Sequence, residues 1–420
     1  MQLLLKNGRV IDPSRNFDEV IDVLIKNGKV YSFVKDYEDN LDNTIDCTGC
    51  IISPGFIDVH VHTREPGYEY KEDIFSASEA AAAGGFTTIV GMQNTKPAID
   101  NRAIAEFVIN KGKQAKVNFF TTAAATKANE GKELADIGDM VDAGAVAVSD
   151  DAFPVQNTDL MRLVMQYTKM FDVPIMAHCE DKSLTKDAIT NEGALSTMLG
   201  LKAWPRQAEE LMIIRNIMLA ELTGCKLHIQ HVTTRGGVEA IRWGKSKGIK
   251  LTAETCPQYF SLTDEALSSF DTNAKMCPPL RTSDDIEAIK EALADGTIDI
   301  LATDHAPHAQ HEKEVELQYA PFGIIGLETA LALSITNLVD KKVLSLTDMI
   351  KKFTIEPAKL IGIDRGTIAE GSVADITVFD PNADVTVDKS KFKSKSKNTP
   401  FDGFKLKGKV VATIVGGEVV

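Results

Sequence analysis

A chain of 420 residues, 44% apolar and 25% charged, has the profile of a soluble globular protein with room for one large domain and a smaller companion. Its 46 basic and 60 acidic side chains give a net charge of −14, which excludes nucleic acid and anionic membranes as expected partners but leaves room for a small anionic substrate. Six cysteines in this length make no disulfide framework, and no run approaches the ~20 apolar residues of a membrane span.

The opening MQLLLKNGRVID turns polar too soon for a signal-peptide core, so a reduced, cytoplasmic protein is expected. LLLKNGRVID (3–12) and DVLIKNGKVYSF (22–33) each carry an apolar run, Asn-Gly and a second run, so each is expected to form a hairpin. Cys47-Thr48-Gly49-Cys50 lacks the second pair a four-cysteine zinc site needs and reads as two incidental thiols at a turn. GSVADITVFDP (371–381) and LKGKVVATIVGGEVV (406–420) return to the β style. Both chain ends, 1–53 and 366–420, are therefore expected to build one small β-sandwich beside a body of residues 54–365.

Eight short β-type runs cross that body: FIDVHVH (56–62), TTIVGM (87–92), VNFFTT (117–122), AVAVSD (145–150), PIMAHC (174–179), KLHIQHV (226–232), KLTAETC (250–256) and DILATDH (299–305). Helix-compatible segments such as SASEAAAAGG and AEELMIIRNIMLAELTG lie between them. Eight strand–helix repeats fit a closed (β/α)₈ TIM-type barrel. An open doubly wound sheet usually shows a Gly-rich phosphate turn after its first strand, and none is present.

Several of these runs end in polar residues, where barrel enzymes assemble their active sites. His60 and His62, at i and i+2 of a strand, share a face and suit Zn²⁺ at ~2.0–2.1 Å per bond. His178, His231 and Asp304 close the fifth, sixth and eighth runs. One such histidine alone is more often a satisfied core side chain, but four of the chain's eight fall on one expected rim. So many ligands exceed one tetrahedral ion, and a two-metal site needs a bridging anion, for which Asp151 is the candidate. Strand alternation does not settle whether Asp150 or Asp151 points inward, and the pair could instead cap the next segment.

PGFIDVHVHTREPG (54–67) resembles the signature of the amidohydrolase superfamily, and REPGYEYKEDI (64–74) is similar to its bacterial dihydroorotase branch. GMQNTKP (91–97), SDDAFPV (149–155), MAHCED (176–181), IQHVTT (229–234), ATDHAPH (302–308), APFGIIGLETAL (320–331) and NTPFDGFKLKGKV (398–410) extend the resemblance along the chain. It implies metal ligands at His60, His62, Asp151, His178, His231 and Asp304, holding zinc, two ions per subunit. Related cyclic amidases have a carbamylated lysine where this chain has Asp150-Asp151. The resemblance also implies substrate contacts at Arg64, Asn94, His308 and the backbone of Phe322 and Gly323.

The implied reaction is the reversible cyclisation of N-carbamoyl-L-aspartate to dihydroorotate, the third step of pyrimidine biosynthesis. Asp304 is expected to shuttle the proton between the attacking water and the amide nitrogen, and Arg64 to hold the substrate carboxylate as a planar fork. His308 lies in a loop long enough to form a lid. A homodimer and association with aspartate carbamoyltransferase are further implications. Three positions depart from the branch: Cys277 replaces the usual asparagine before Pro278-Pro279-Leu280-Arg281, Gln93 the usual proline, and Ala152 the usual glycine. Cysteine lacks an amide's paired donor and acceptor, so position 277 bears on substrate choice and leans toward allantoin- or hydantoin-hydrolysing relatives. A non-catalytic scaffold is the remaining rival, and it should have lost ligands that this chain keeps.

Overall fold

The computed structural model describes residues 2–35, 37, 41 and 43–420. Eight strands, β1 (Phe56–Val61), β2 (Phe86–Gly91), β3 (Asn118–Ala124), β4 (Ala147–Ser149), β5 (Ile175–Ala177), β6 (Leu227–Ile229), β7 (Leu251–Thr255) and β8 (Ile300–Leu301), lie side by side in chain order. Each is parallel to the next. The ring closes at its C-terminal rim through a parallel bridge between Val61 and His305, with the His62 N–H donating to the His305 carbonyl at 2.9 Å. This is the expected (β/α)₈ barrel, and each of the eight anticipated runs supplies one strand.

Helices such as Ile74–Ala83, Arg102–Gly112, Gln207–Thr223 and Arg235–Ser246 cover the outside. Their apolar faces pack on outward-facing β-branched residues such as Ile89, Val148, Ile175 and Ile229, while Ile57, Val59, Val90, Met92 and Met176 fill the barrel interior. At the N-terminal end of the barrel the ring of Phe56 meets Phe353 at 5.1 Å, Phe379 at 5.8 Å and Phe86 at 5.9 Å, closing the floor.

The strands are shorter than the apolar runs at the rim that matters. His231 (φ 32°) and Asp304 (φ 48°) adopt left-handed backbone, which no strand residue holds, so β6 and β8 stop before them. Left-handed non-glycine residues are costly and persist only where their surroundings enforce them. Arg64 and Ala152 share this conformation (φ 60° each), so four such residues ring one end of the barrel.

Both chain ends build a separate β unit. A four-stranded sheet runs in the order Lys29–Val34, Asp22–Lys26, Gln2–Lys6, Thr44–Asp46. A six-stranded sheet runs Glu418–Val419, Lys405–Val415, Ile376–Thr386, Ile51–Pro54, Arg9–Asp12, Phe17–Val20. Leu3, Leu5, Val23 and Ile25 from the first pack with Val10, Ile52, Ile376, Val378 and Ile414 from the second. Thr377 ties this unit to the barrel: its hydroxyl donates to the Gly85 carbonyl at 2.6 Å and accepts from the Phe56 N–H at 3.2 Å.

One of the two expected hairpins is absent. Asp22–Lys26 and Lys29–Val34 do pair antiparallel across Asn27-Gly28, where both residues have positive φ (50° and 78°), as a two-residue hairpin turn requires. At Asn7-Gly8 only Asn7 is left-handed (φ 65°). The chain turns a corner there, and Gln2–Lys6 and Arg9–Asp12 enter different sheets. Gly8 is required for closeness instead: a Cβ on it would stand 2.5 Å from Cδ1 of Ile52. Cys47 and Cys50 are free thiols at a tight turn, with the Cys50 N–H donating to the Cys47 carbonyl at 2.8 Å. Among the described residues no helix is long and apolar enough to cross a membrane.

Candidate active site

Four imidazoles and two carboxylates from five strand ends meet at the C-terminal mouth of the barrel. Asp151 stands among the imidazoles: Oδ1 lies 3.4 Å from Nε2 of His60, 3.4 Å from Nδ1 of His178 and 3.6 Å from Nε2 of His231, and Oδ2 lies 3.4 Å from Nε2 of His62. Asp304 Oδ1 lies 3.1 Å from Nε2 of His62 and 3.5 Å from Nε2 of His60. All six side chains are buried.

This arrangement fits divalent cations. Two ligands bonded at ~2.1 Å to a tetrahedral ion stand about 3.4 Å apart, close to the spacings observed. His60, His62 and Asp151 form one close donor group, Asp151, His178 and His231 a second, and His60, His231 and Asp304 a third, so Asp151 is common to donors on both sides. Nε2 of His60 is buried without a hydrogen-bond partner, an orphan that a cation would satisfy. Burial opposes charge on the His60 imidazole, yet Asp304, Glu254 and Asp151 outweigh it and lift its pKa well above the usual value. The local field calls for positive charge.

The ambiguity between the paired aspartates is resolved by their partners. Asp150 turns away and accepts the backbone N–H groups of Val155 at 2.7 Å and His178 at 3.0 Å, which fixes β5 against β4. Burial pushes its carboxyl up to about 6. Asp151 alone faces the mouth, and the left-handed turn at Ala152 follows it.

Several supporting residues were not anticipated from sequence. Glu254, on β7, lies 2.5 Å from Nδ1 of His60 and 3.0 Å from Nε2 of His228, whose other nitrogen meets Thr252 Oγ1 at 2.8 Å. Asp58, inside β1, accepts the N–H of His60 at 3.0 Å and of Thr303 at 3.2 Å, joining β1 to the segment after β8, and burial pushes it up to about 7. Glu180 lies 3.1 Å from Nε2 of His178. Each orients His60 or His178 through its second nitrogen or its backbone. A carboxylate within a strand of alternating polarity carries no sequence mark of this task.

His62, Asp151, His178 and Asp304 line a cavity of about 1150 Å³, and Arg64, Asn94, Cys277, His308, Phe322 and Gly323 all line it too. Arg64 is half-buried; its Nε donates to the Pro307 carbonyl at 3.0 Å, and among the described residues it has no carboxylate ion-pair partner. Asn94 lies 2.9 Å from Nδ1 of His62 with Oδ1 and 3.4 Å from Asp151 with Nδ2, so it also steadies two of the six clustered side chains. Cys277 Sγ lies 3.9 Å from Nε2 of His178. His308 donates from Nε2 to the Phe322 carbonyl at 2.8 Å, and Lys71 Nζ lies 3.3 Å from its Nδ1, which assigns the tautomer. Gly323 is left-handed (φ 147°), and a Cβ there would stand 2.7 Å from the Ala306 carbonyl oxygen. Its N–H donates to Lys275 and its carbonyl accepts from Asn398, so of these two residues' backbone groups only the Phe322 N–H lacks a partner among the described residues.

The sequence matches the amidohydrolase family over residues 51–420. The chain belongs to the amidohydrolase family. Within that family it is 51% identical to a dihydroorotase of Geobacter metallireducens, covering 100% of this chain and 99% of the relative. It is 49% identical to a dihydroorotase of Syntrophus aciditrophicus, with the same coverage. Among solved amidohydrolase-like structures, an L-hydantoinase (dihydropyrimidinase) from Arthrobacter aurescens superimposes with a TM-score of 0.89 at 30% identity, covering 100% of this chain and 95% of that one.

Proposed function

We propose that this protein is a dihydroorotase, which closes N-carbamoyl-L-aspartate to dihydroorotate and water and runs the reverse hydrolysis of the ring amide. The observation that carries the reading is Arg64: a half-buried guanidinium with no acidic ion-pair partner among the described residues lines the cavity beside the four imidazoles and two aspartates. A cyclic amide bearing a carboxylate satisfies both features, and full-length identity of about half to dihydroorotases supports the same substrate.

His60, His62, Asp151, His178, His231 and Asp304 would hold zinc, two ions per chain with Asp151 shared. Such ions supply Lewis acidity, which lowers the pKa of water and polarises the substrate carbonyl. Asp304 takes the proton of the attacking water and hands it to the departing amide nitrogen. Arg64 holds the carboxylate, Asn94 and the Phe322 N–H reach the ring, His308 and Gly323 shape the far wall, and Cys277 lines the side next to His178. Residues 54–365 form the catalytic barrel, with 1–53 and 366–420 as its β companion. The protein works in the cytoplasm in the pyrimidine pathway. It self-associates as a homodimer, for which the exposed stripe Leu211, Ile214, Met218 and Leu222 supplies an apolar face, and aspartate carbamoyltransferase is a further partner.

Likeness to a hydantoinase favours a second reading, hydrolysis of hydantoins or allantoin. Those substrates lack the carboxylate that Arg64 would hold. Turnover of dihydroorotate, hydantoin and allantoin compared side by side decides between them: preference for dihydroorotate is expected, and preference for either rival overturns the proposal. Ring closure turns a dicarboxylate into a monocarboxylate and consumes a proton, so the equilibrium ratio of ring to open form should rise about tenfold per unit fall in pH while both carboxylates stay ionised. A ratio independent of pH would rule out the assigned reaction.

A further inference from the structure

A strap from the far end of the chain runs along the barrel mouth. Glu328 accepts the N–H groups of Lys393 at 2.9 Å and Ser394 at 3.1 Å. Glu72 accepts the N–H of Lys395 at 3.2 Å, and the Ser396 hydroxyl donates to the Lys71 carbonyl at 2.7 Å. These contacts deliver Asn398 to the gap between two loops. There its Oδ1 accepts the His308 N–H at 3.0 Å, and its Nδ2 donates to the carbonyls of Ala306 and Gly323, each at 3.0 Å. Its own carbonyl accepts the Ile325 N–H at 3.1 Å.

The side chain is buried, and both amide N–H groups and its oxygen are engaged, all with backbone. Two carbonyls converging on one point repel each other unless a double donor lies between them, and only an amide also returns an acceptor to His308. The residues gripped at 306 and 308 flank Pro307, whose carbonyl receives Nε of Arg64.

We infer that Asn398 is a positioning residue for substrate binding: it fixes the loops at 306–308 and 322–325 against each other and thereby aims Arg64, His308 and the Phe322 backbone at the substrate. The inference rests on the substrate reading above. It assigns a task to a residue more than three hundred positions from Arg64 that touches neither metal donor nor substrate.

The test is a double-mutant cycle on the metal-loaded full chain with dihydroorotate. Asn398→Ala, and Asn398→Asp, which replaces two donors by an acceptor facing two carbonyls, should each raise KM about tenfold or more while kcat stays within about threefold and metal content matches wild type. In an Arg64→Ala background, Asn398→Ala should raise KM by clearly less than it does in wild type, about threefold or less, because the part of its effect exerted through Arg64 is already lost. An unchanged KM, a fall in kcat alone, lost metal, or effects that multiply independently would overturn the inference. Should Asn398→Ala give no soluble protein, Asn398→Ser takes its place in the cycle, and failure of both to fold would assign the residue to the fold alone. A wild-type KM in Arg64→Ala itself would instead defeat the substrate reading.

Discussion

The carboxylate of Glu254 stands 2.5 Å from Nδ1 of His60, on the edge of the ring opposite the nitrogen that faces Asp151. It keeps a proton on Nδ1 and leaves the lone pair of Nε2 turned into the site, so a residue outside the cluster of six sets the tautomer of one within it.

Replacing Glu254 by Ala should therefore weaken metal binding roughly 10- to 100-fold without removing a ligand. Titrating zinc into the metal-stripped variant checks this: activity should return at higher free zinc than in wild type. Wild-type affinity would show that His60 needs no such orienting partner.

Arg64→Lys keeps the charge but loses the planar fork, and the compact ammonium does not reproduce its two-point grip. KM for dihydroorotate should rise about tenfold to a hundredfold, with a smaller change in kcat, since the carboxylate is held equally in ground and transition states. Steady-state kinetics decide this, and a KM within about twofold of wild type would remove Arg64 from substrate recognition.

His308 predicts a pH dependence of stability. Burial, helped by the cations of Arg64, Lys71 and Lys313 and opposed by Glu312, pushes its imidazole down to about 3 from the ordinary 6.5. The unfolded chain therefore takes up this proton before the folded one. The stability contribution is complete above pH 6.5 and is lost as pH falls from 6.5 toward about 3. Melting temperatures at pH 7 and pH 5 should drop further for wild type than for His308→Asn, and equal drops would contradict a neutral buried His308.

The six side chains that meet at the barrel mouth were legible in the sequence because metal ligation, the task proposed for them, demands particular residue types at a particular place. His60-Val61-His62 shares a strand face by alternation, and His178, His231 and Asp304 each follow an apolar run that the barrel's strand count requires. What sequence left open was conformational. Asp150 and Asp151 are told apart only by the backbone turn at Ala152 and by the N–H groups of Val155 and His178 that claim Asp150. Asn7-Gly8 and Asn27-Gly28 are the same dipeptide, and only the left-handed glycine of the second makes a hairpin, because Gly8 is held by contact with Ile52. Glu254 stayed hidden because its partners His60 and His228 come from other strands, and Asp58 because its remote partner Thr303 lies 245 positions away, separations that no local pattern encodes.

His60, His62, Asp151, His178, His231 and Asp304 are placed to hold the divalent cations that hydrolysis of a cyclic amide requires. Metal content measured alongside dihydroorotate turnover, before chelation, after it and after zinc is returned, decides whether they do. The expected result is two zinc ions per chain, loss of turnover with the metal and recovery on its return. Full turnover by a protein shown to be metal-free would contradict it.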